Sequence, residues 1–251
     1  MRTVMLMTAT TADDVELSFR DSGGADPVPV ILVHGMGGDS HTWDRFARTL
    51  VGSGRRVIAL DLRGHGRSAH APSYLFPQFG ADLLHLCDHL LLERVDLVGH
   101  SLGGHTASLV AQARPDLVRR LVLEEAPLPL RTGETLGRMS SRLPTPVELW
   151  HAVTGVIRHP RAVLAFDRSM TRSALAQFRE PNPVWWQNLS EITAPTLVIS
   201  GGPGGMVDPD RLAAATAAIP RCEAITIKVG HSVHRDRPNQ FEAAVTAFLA
   251  D

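Results

Sequence analysis

The stretch that most constrains this chain is Val95-Asp96-Leu97-Val98-Gly99-His100-Ser101-Leu102-Gly103-Gly104. A short apolar run, readable as a buried strand, ends in Gly-x-Ser-x-Gly and passes straight into a helix-like segment over residues 106–114. Such an abrupt handover crowds backbone against backbone, which glycines at 99 and 103 permit. It leaves Ser101 pointing out over the end of the strand. A serine hydroxyl is a poor nucleophile at neutral pH and needs presentation, a nearby base and a place for an oxyanion. The turn supplies the first. A helix N-cap is the plainer use of a serine here, but it does not require the flanking glycines.

The rest of the chain repeats the strand-then-helix pattern. The alternating segment 15–20 reads as an exposed antiparallel strand closed by a turn at 21–24. Apolar runs at 29–33, 56–60, 118–123, 194–200 and 222–228 read as strands. Helical patterns follow at 42–52, at 83–91 with apolar residues every three to four positions, at 210–219 and at 238–249. Alternation of this kind predicts a mostly parallel central sheet with helices on both faces. Ligands of such sheets bind outside the carboxyl ends of the strands, where the polar motifs of this chain fall. Between residues 128 and 192 the alternation lapses, and the segment holds Trp150, Trp185, Trp186, Phe166 and Phe178. It reads as an inserted helical lid, with helices over 146–158 and 160–180, on a core formed by 1–127 and 193–251.

Composition narrows the function classes. The chain has 251 residues and a net charge of −1. No block of like charge stands out to attract nucleic acid or an anionic membrane. Two isolated cysteines, Cys87 and Cys222, form neither a metal spacing nor a disulfide framework and are expected as buried free thiols. Residues 4–7 lack the apolar core of a signal peptide, and no run of about 18 apolar residues occurs. The expectation is a cytoplasmic protein acting on a small-molecule substrate, without nucleic-acid or membrane partner; oligomeric state is open. His231 and His234 lack a third metal-ligand cluster, and residues 201–205 lack a phosphate-loop lysine, so neither metal nor cofactor is expected.

Four motifs, His34-Gly35-Met36-Gly37-Gly38, Asp61-Leu62-Arg63-Gly64-His65-Gly66-Arg67-Ser68, Gly99-His100-Ser101-Leu102-Gly103-Gly104 and Gly230-His231-Ser232-Val233-His234, resemble the α/β-hydrolase superfamily in kind and order. The resemblance implies an α/β-hydrolase fold with Ser101 as nucleophile, His231 as base, and the backbone N–H groups of Met36 and Leu102 as oxyanion hole. His234 is the rival base and is expected to be surface or lid-facing. His34, His65 and His100 are read as hydrogen-bonded loop scaffolding; His70, His85, His89, His105, His151 and His159 as solvent-facing or structural. Asp61, Arg63, Arg67, Asp96 and Asp167 are read as structural charges.

The acid departs from the family pattern. It is usually found after the penultimate strand, where this chain has Gly204 in Gly201-Gly202-Pro203-Gly204-Gly205. A variant arrangement places it one strand earlier, which points to Glu125; Asp208 is the alternative and Glu124 the third. Successive strand residues face opposite ways, so at most one of the two glutamates should reach His231. Trp150, Phe178, Trp185 and Trp186 are candidate substrate contacts under the lid. The reading is a serine hydrolase opening an ester, lactone or thioester through an acyl-enzyme. Carbon–carbon hydrolysis, acyl transfer, lyase or cyclase chemistry at the same site is the alternative, and a non-catalytic ligand-binding homologue the second.

Overall fold

A computed structural model describes residues 5–134, 150, 153 and 164–250. One eight-stranded sheet forms the middle, in the order β1-β2-β4-β3-β5-β6-β7-β8. Its strands are β1 (Met5–Thr10), β2 (Glu16–Asp21), β3 (Val30–Val33), β4 (Val57–Leu60), β5 (Val95–His100), β6 (Val118–Glu124), β7 (Thr196–Ser200) and β8 (Cys222–Thr226). From β4 to β8 the neighbours are parallel, while β1 and β2 attach antiparallel at one edge.

Alternation along the strands divides the apolar residues between two cores. Ile31, Val33 and Leu97 face a core with Phe79, Leu83, Leu86 and Val110, carried by α2 (Phe76–His89) and α3 (Leu102–Ala113). Val30, Leu32 and Val98 face the other core, with Trp43, Phe46, Leu50, Phe241 and Val245 from residues 40–52 and 238–250. Both faces are therefore covered, and the all-buried runs of β3, β4 and β5 follow from that.

Three sequence expectations change. Residues 4–7 are read in the sequence only as too short an apolar stretch for a signal peptide, yet Met5–Thr10 forms the outermost strand, with only Ala9 buried. Cys222 is only partly buried, because β8 is the opposite edge of the sheet. Of the two expected lid helices, 146–158 lies outside the described residues except Trp150 and Val153, and the second is seen as Ser169–Phe178, followed by a short helix Pro183–Gln187. No helix among the described residues is long and apolar enough to cross a membrane.

The charged turns tie loops together. Asp61 accepts the Ser40 and Arg67 backbone N–H groups at 2.7 and 2.9 Å. Buried Arg63 is gripped by Asp82 at 2.5 and 2.6 Å and reaches Asp13 at 3.1 Å. Residues 166–178 are moored to the loop at 62–74: Asp167 N–H donates to the Gly64 carbonyl at 2.9 Å, and Tyr74 Oη to the Asp167 carboxylate at 2.7 Å.

His34, His65, His100 and His105 are buried, and burial holds each in the neutral form. The pKa falls to about 3 for His65 and His100 and about 4 for His105. Their stabilising effect is present above the unfolded value of 6.5 and is lost as pH drops through the native values. Glu124, raised by burial from 4.5 to about 7, acts in the opposite sense, its stability being lost as pH rises through about 7. The histidines outweigh the one glutamate, so the unfolded chain binds more protons than the native one between roughly pH 5 and 6.5. Unfolding midpoints should therefore fall on acidification through that window. A midpoint that stays level or rises from pH 7 to 5 would contradict the assignment.

Candidate active site

The motif residues meet at the carboxyl ends of β3, β4, β5, β6, β7 and β8 because a parallel sheet brings those ends to one edge. Ser101 follows β5 directly, with φ 51° and ψ −120°. A non-glycine residue held there is strained and persists only where its surroundings fix it. The fixing is visible on both sides. Ser101 N–H donates to the Glu124 carbonyl at 2.9 Å, and the helix after it is pressed against the strand so closely that a Cβ on Gly99 or Gly103 would overlap backbone.

The loop after β3 packs onto this turn. A Cβ on Gly35 would lie 3.0 Å from that of Ser101, so the loop can approach the serine only with glycine there. Two neutral imidazoles shape it: His34 Nε2 accepts Leu62 N–H at 3.0 Å, and His65 Nε2 accepts Gly37 N–H at 3.1 Å. His65 Nδ1–H donates to the Arg63 carbonyl at 2.9 Å, which sets its tautomer. Leu102 begins α3, where backbone N–H groups have no intrahelical acceptor. The N–H groups of Met36 and Leu102 donate no hydrogen bond among the described residues, as donors reserved for an oxyanion would.

Glu125 also has a positive φ, 47°, at the end of β6, and its N–H donates to the Ile199 carbonyl at 2.9 Å. This bend swings its fully buried carboxylate towards the loop after β7. One oxygen accepts Gly201 N–H and the other Met206 N–H, each at 2.5 Å. The second oxygen stands 3.4 Å from His231 Nδ1. A Cβ on Gly205 would overlap the carboxylate, and one on Gly201 would overlap the Gly230 carbonyl. The glycine-rich loop that lacks an acid thus forms the cradle for one arriving from the neighbouring strand.

Asp208 is placed elsewhere. It caps the helix Pro209–Ala218, accepting Asp210 N–H at 3.1 Å and Arg211 N–H at 3.0 Å, and makes no bond to His231. The Asp-Pro pair is the signal that could have identified the cap in the sequence. Glu124, by contrast, is wholly buried and accepts His234 N–H at 2.8 Å and the His234 ring at Nδ1 at 2.7 Å. His234 is therefore neither surface nor lid-facing; it stacks on Trp43 at 4.2 Å between ring centroids. His100, Glu124 and His234 form a compact buried group with ligand-type atoms within 4.8 Å of one another. No local sequence pattern marks it, since Glu124 and His234 lie 110 positions apart.

The aromatic candidates have distinct settings. Trp185 is buried on α3, stacked 5.9 Å from His105, with its indole N–H on Ser108 Oγ at 3.0 Å. Trp186 donates to the Pro129 carbonyl at 3.0 Å and lies under the Arg131 guanidinium at 4.8 Å. Phe178 packs 4.4 Å from Phe76, and Trp150 is 66% exposed. Two exposed methionines belong to the loops around Ser101 and His231: Met36, next to Gly35, and Met206, whose N–H holds Glu125.

Comparison with known proteins agrees with this geometry. A family model of the alpha/beta hydrolase fold matches residues 28–148. The chain is 30% identical over 91% of its length to the sn-1-specific diacylglycerol lipase ABHD11 of Mus musculus, covering 83% of that protein. It is also 30% identical over 96% of its length to a 2-hydroxy-6-oxononadienedioate/2-hydroxy-6-oxononatrienedioate hydrolase of Cupriavidus pinatubonensis, covering 94% of it. A hydrolase of known structure from Pseudomonas aeruginosa PA01 superposes with a TM-score of 0.81 at 27% identity over 98% of both chains. With elbow, sheet order and relatives spanning most of both chains in agreement, the chain belongs to the α/β-hydrolase fold family.

Proposed function

We propose that the protein is a serine hydrolase that opens a carboxylic ester through an acyl-enzyme, with Ser101 as nucleophile, His231 as general base and Glu125 as the acid. The observation that carries this reading is the strained Ser101 turn beside a buried carboxylate aimed at His231 Nδ1. His231 takes the Ser101 proton as Oγ bonds to the carbonyl carbon, and the N–H groups of Met36 and Leu102 receive the developing oxyanion. Collapse breaks the bond to the alkoxy group, which leaves with the proton from His231. Water then attacks the acyl-enzyme with the same imidazole as base, releasing the acid and restoring Ser101. Glu125 orients the ring and stabilises the imidazolium, and its own charge is held by two backbone N–H groups.

Both full-span relatives support hydrolysis, and the lipase name favours an ester with an apolar acyl group. The exposed Met36 and Met206 beside the site are consistent with that choice. Carbon–carbon hydrolysis is the second reading, favoured by the dienedioate hydrolase that matches 96% of this chain. It is distinguished by turnover of a vinylogous 1,5-diketone in preference to p-nitrophenyl esters.

A fluorophosphonate probe should form one adduct per chain, located on Ser101 by peptide mass spectrometry, and Ser101→Ala should lower ester turnover by at least about a thousandfold. Near wild-type turnover in Ser101→Ala would refute the scheme.

The acid is tested separately. Glu125→Gln should lower kcat/KM by roughly a hundredfold to ten-thousandfold, whereas Asp208→Asn, which keeps the capping oxygen, should leave both kcat/KM within about twofold and the stability nearly unchanged. The reverse ranking would move the acid to Asp208.

A further inference from the structure

The scheme above uses one of the two glutamates that end β6. Glu124 is just as buried, and burial pushes its pKa up to about 7. A carboxyl group enclosed in this way is costly unless bonded, and Trp43, Val122, Val233 and Phe241 in the same core show that apolar side chains can fill this space.

Its contacts all lead to the reacting groups. The backbone carbonyl of Glu124 holds Ser101 N–H, while its carboxylate holds both the backbone N–H and the ring of His234, three residues after His231. The His234 ring lies against Trp43 and presents an edge to Phe241, and it sits 5.0 Å from the His100 ring. His100, the residue before Ser101, donates Nε2–H to the His231 backbone carbonyl at 2.8 Å. Burial keeps that imidazole neutral, so the donor tautomer persists through the working pH range. His231 is therefore tied at its own carbonyl and again one turn further on, while its ring makes only a 3.4 Å contact to Glu125.

We propose that Glu124, His234 and His100 are positioning residues: a second buried carboxylate–imidazole set that fixes the loop carrying His231 over Ser101. This inference rests on the reading of Ser101 and His231 as the reacting pair. Consecutive glutamates then serve consecutive tasks, Glu125 orienting the ring of the base and Glu124 its backbone. A displacement of about 1 Å in a catalytic group costs on the order of a hundredfold in rate, which sets the size of the expected effect.

The test uses the full chain, p-nitrophenyl butyrate and a fluorophosphonate probe. His234→Phe keeps a ring on Trp43 but removes Nδ1, and Glu124→Ala removes its acceptor. Each should lower kcat roughly tenfold to a hundredfold with KM within about twofold, and should slow probe labelling by a similar factor while stoichiometry still reaches one per chain. Glu124→Gln retains an acceptor and should recover most of the rate. In the wild type, the His234 amide should exchange with solvent as slowly as the amides of β6, a measurement that does not depend on any variant folding.

Wild-type rates in folded His234→Phe and Glu124→Ala, or a His234 amide that exchanges at open-loop rates, would overturn the proposal. So would a loss explained wholly by a reduced labelled fraction, or a Glu124→Gln defect as deep as that of Glu125→Gln, which would make Glu124 the acid of the triad. A wild-type protein that fails to label at Ser101 defeats instead the underlying reading, and is recognised because no variant is involved.

Discussion

Close backbone contact between β5 and the start of α3 is the constraint on which the site depends. Gly99 and Gly103 touch main chain to main chain, and Gly103 lies against the Val33 and His34 carbonyls of the adjoining strand end. Helix, elbow strand and the loop at 34–38 are thereby locked into one rigid corner. Ser101 stands at its apex with φ 51°, a conformation that a free chain would abandon. The hydrogen bond from its N–H to Glu124 prevents this by continuing the ladder of β5 and β6 one residue beyond β5. Glu125 repeats the device one strand over, with positive φ and an N–H bonded to Ile199. Two adjacent strands thus end in the same unusual turn, which directs the Ser101 hydroxyl and the Glu125 carboxylate over the same edge of the sheet.

The electrostatics of this corner rely on main chain more than on side-chain charge. Among the described residues no arginine or lysine bonds to Glu125; its two oxygens are held by N–H groups of the glycine-rich loop. Backbone donors orient a carboxylate in a place closed to water without adding a cation that would compete for His231. The same economy appears around the loop at 34–38, where His34 and His65 serve as neutral acceptors of main-chain N–H groups. Burial is what makes them suitable, since a protonated ring could not accept.

Much of this was legible in the sequence, and the exceptions have physical reasons. The alternation of strands and helices, the elbow and the loops at 34–38 and 61–68 follow from local pattern, because apolar runs and glycines act over a few residues. β1 was missed because an edge strand buries little and carries weak alternation: Met5 and Leu6 are both half exposed. His234 was misjudged because its partners, Glu124 and Trp43, come from the far ends of other elements, and nothing within ten residues signals them. Asp208 illustrates the converse, since a local signal, the Asp-Pro helix start, was present and was outweighed by an expectation carried over from the family pattern. Phe178, Trp185 and Trp186 are set by packing against α2, α3 and residues 129–131, contacts between elements that no local pattern specifies.

The pair Glu124 and Glu125 also shows how a strand end can escape strand geometry. In a regular strand the second glutamate would face away from the first, and only one of them could enter a given site. Glu124 keeps that geometry and points into the core shared with Trp43 and Phe241. Glu125, one residue past the strand, takes the positive φ and turns its carboxylate under the loop after β7 rather than across the sheet. His231 and His234, separated by one helical turn, then meet these two carboxylates separately, one on each side of the sheet's edge. Replacing either acid would leave its histidine facing a space shaped for a charge. The two pairs are therefore coupled through the six-residue stretch from Gly230 to Arg235.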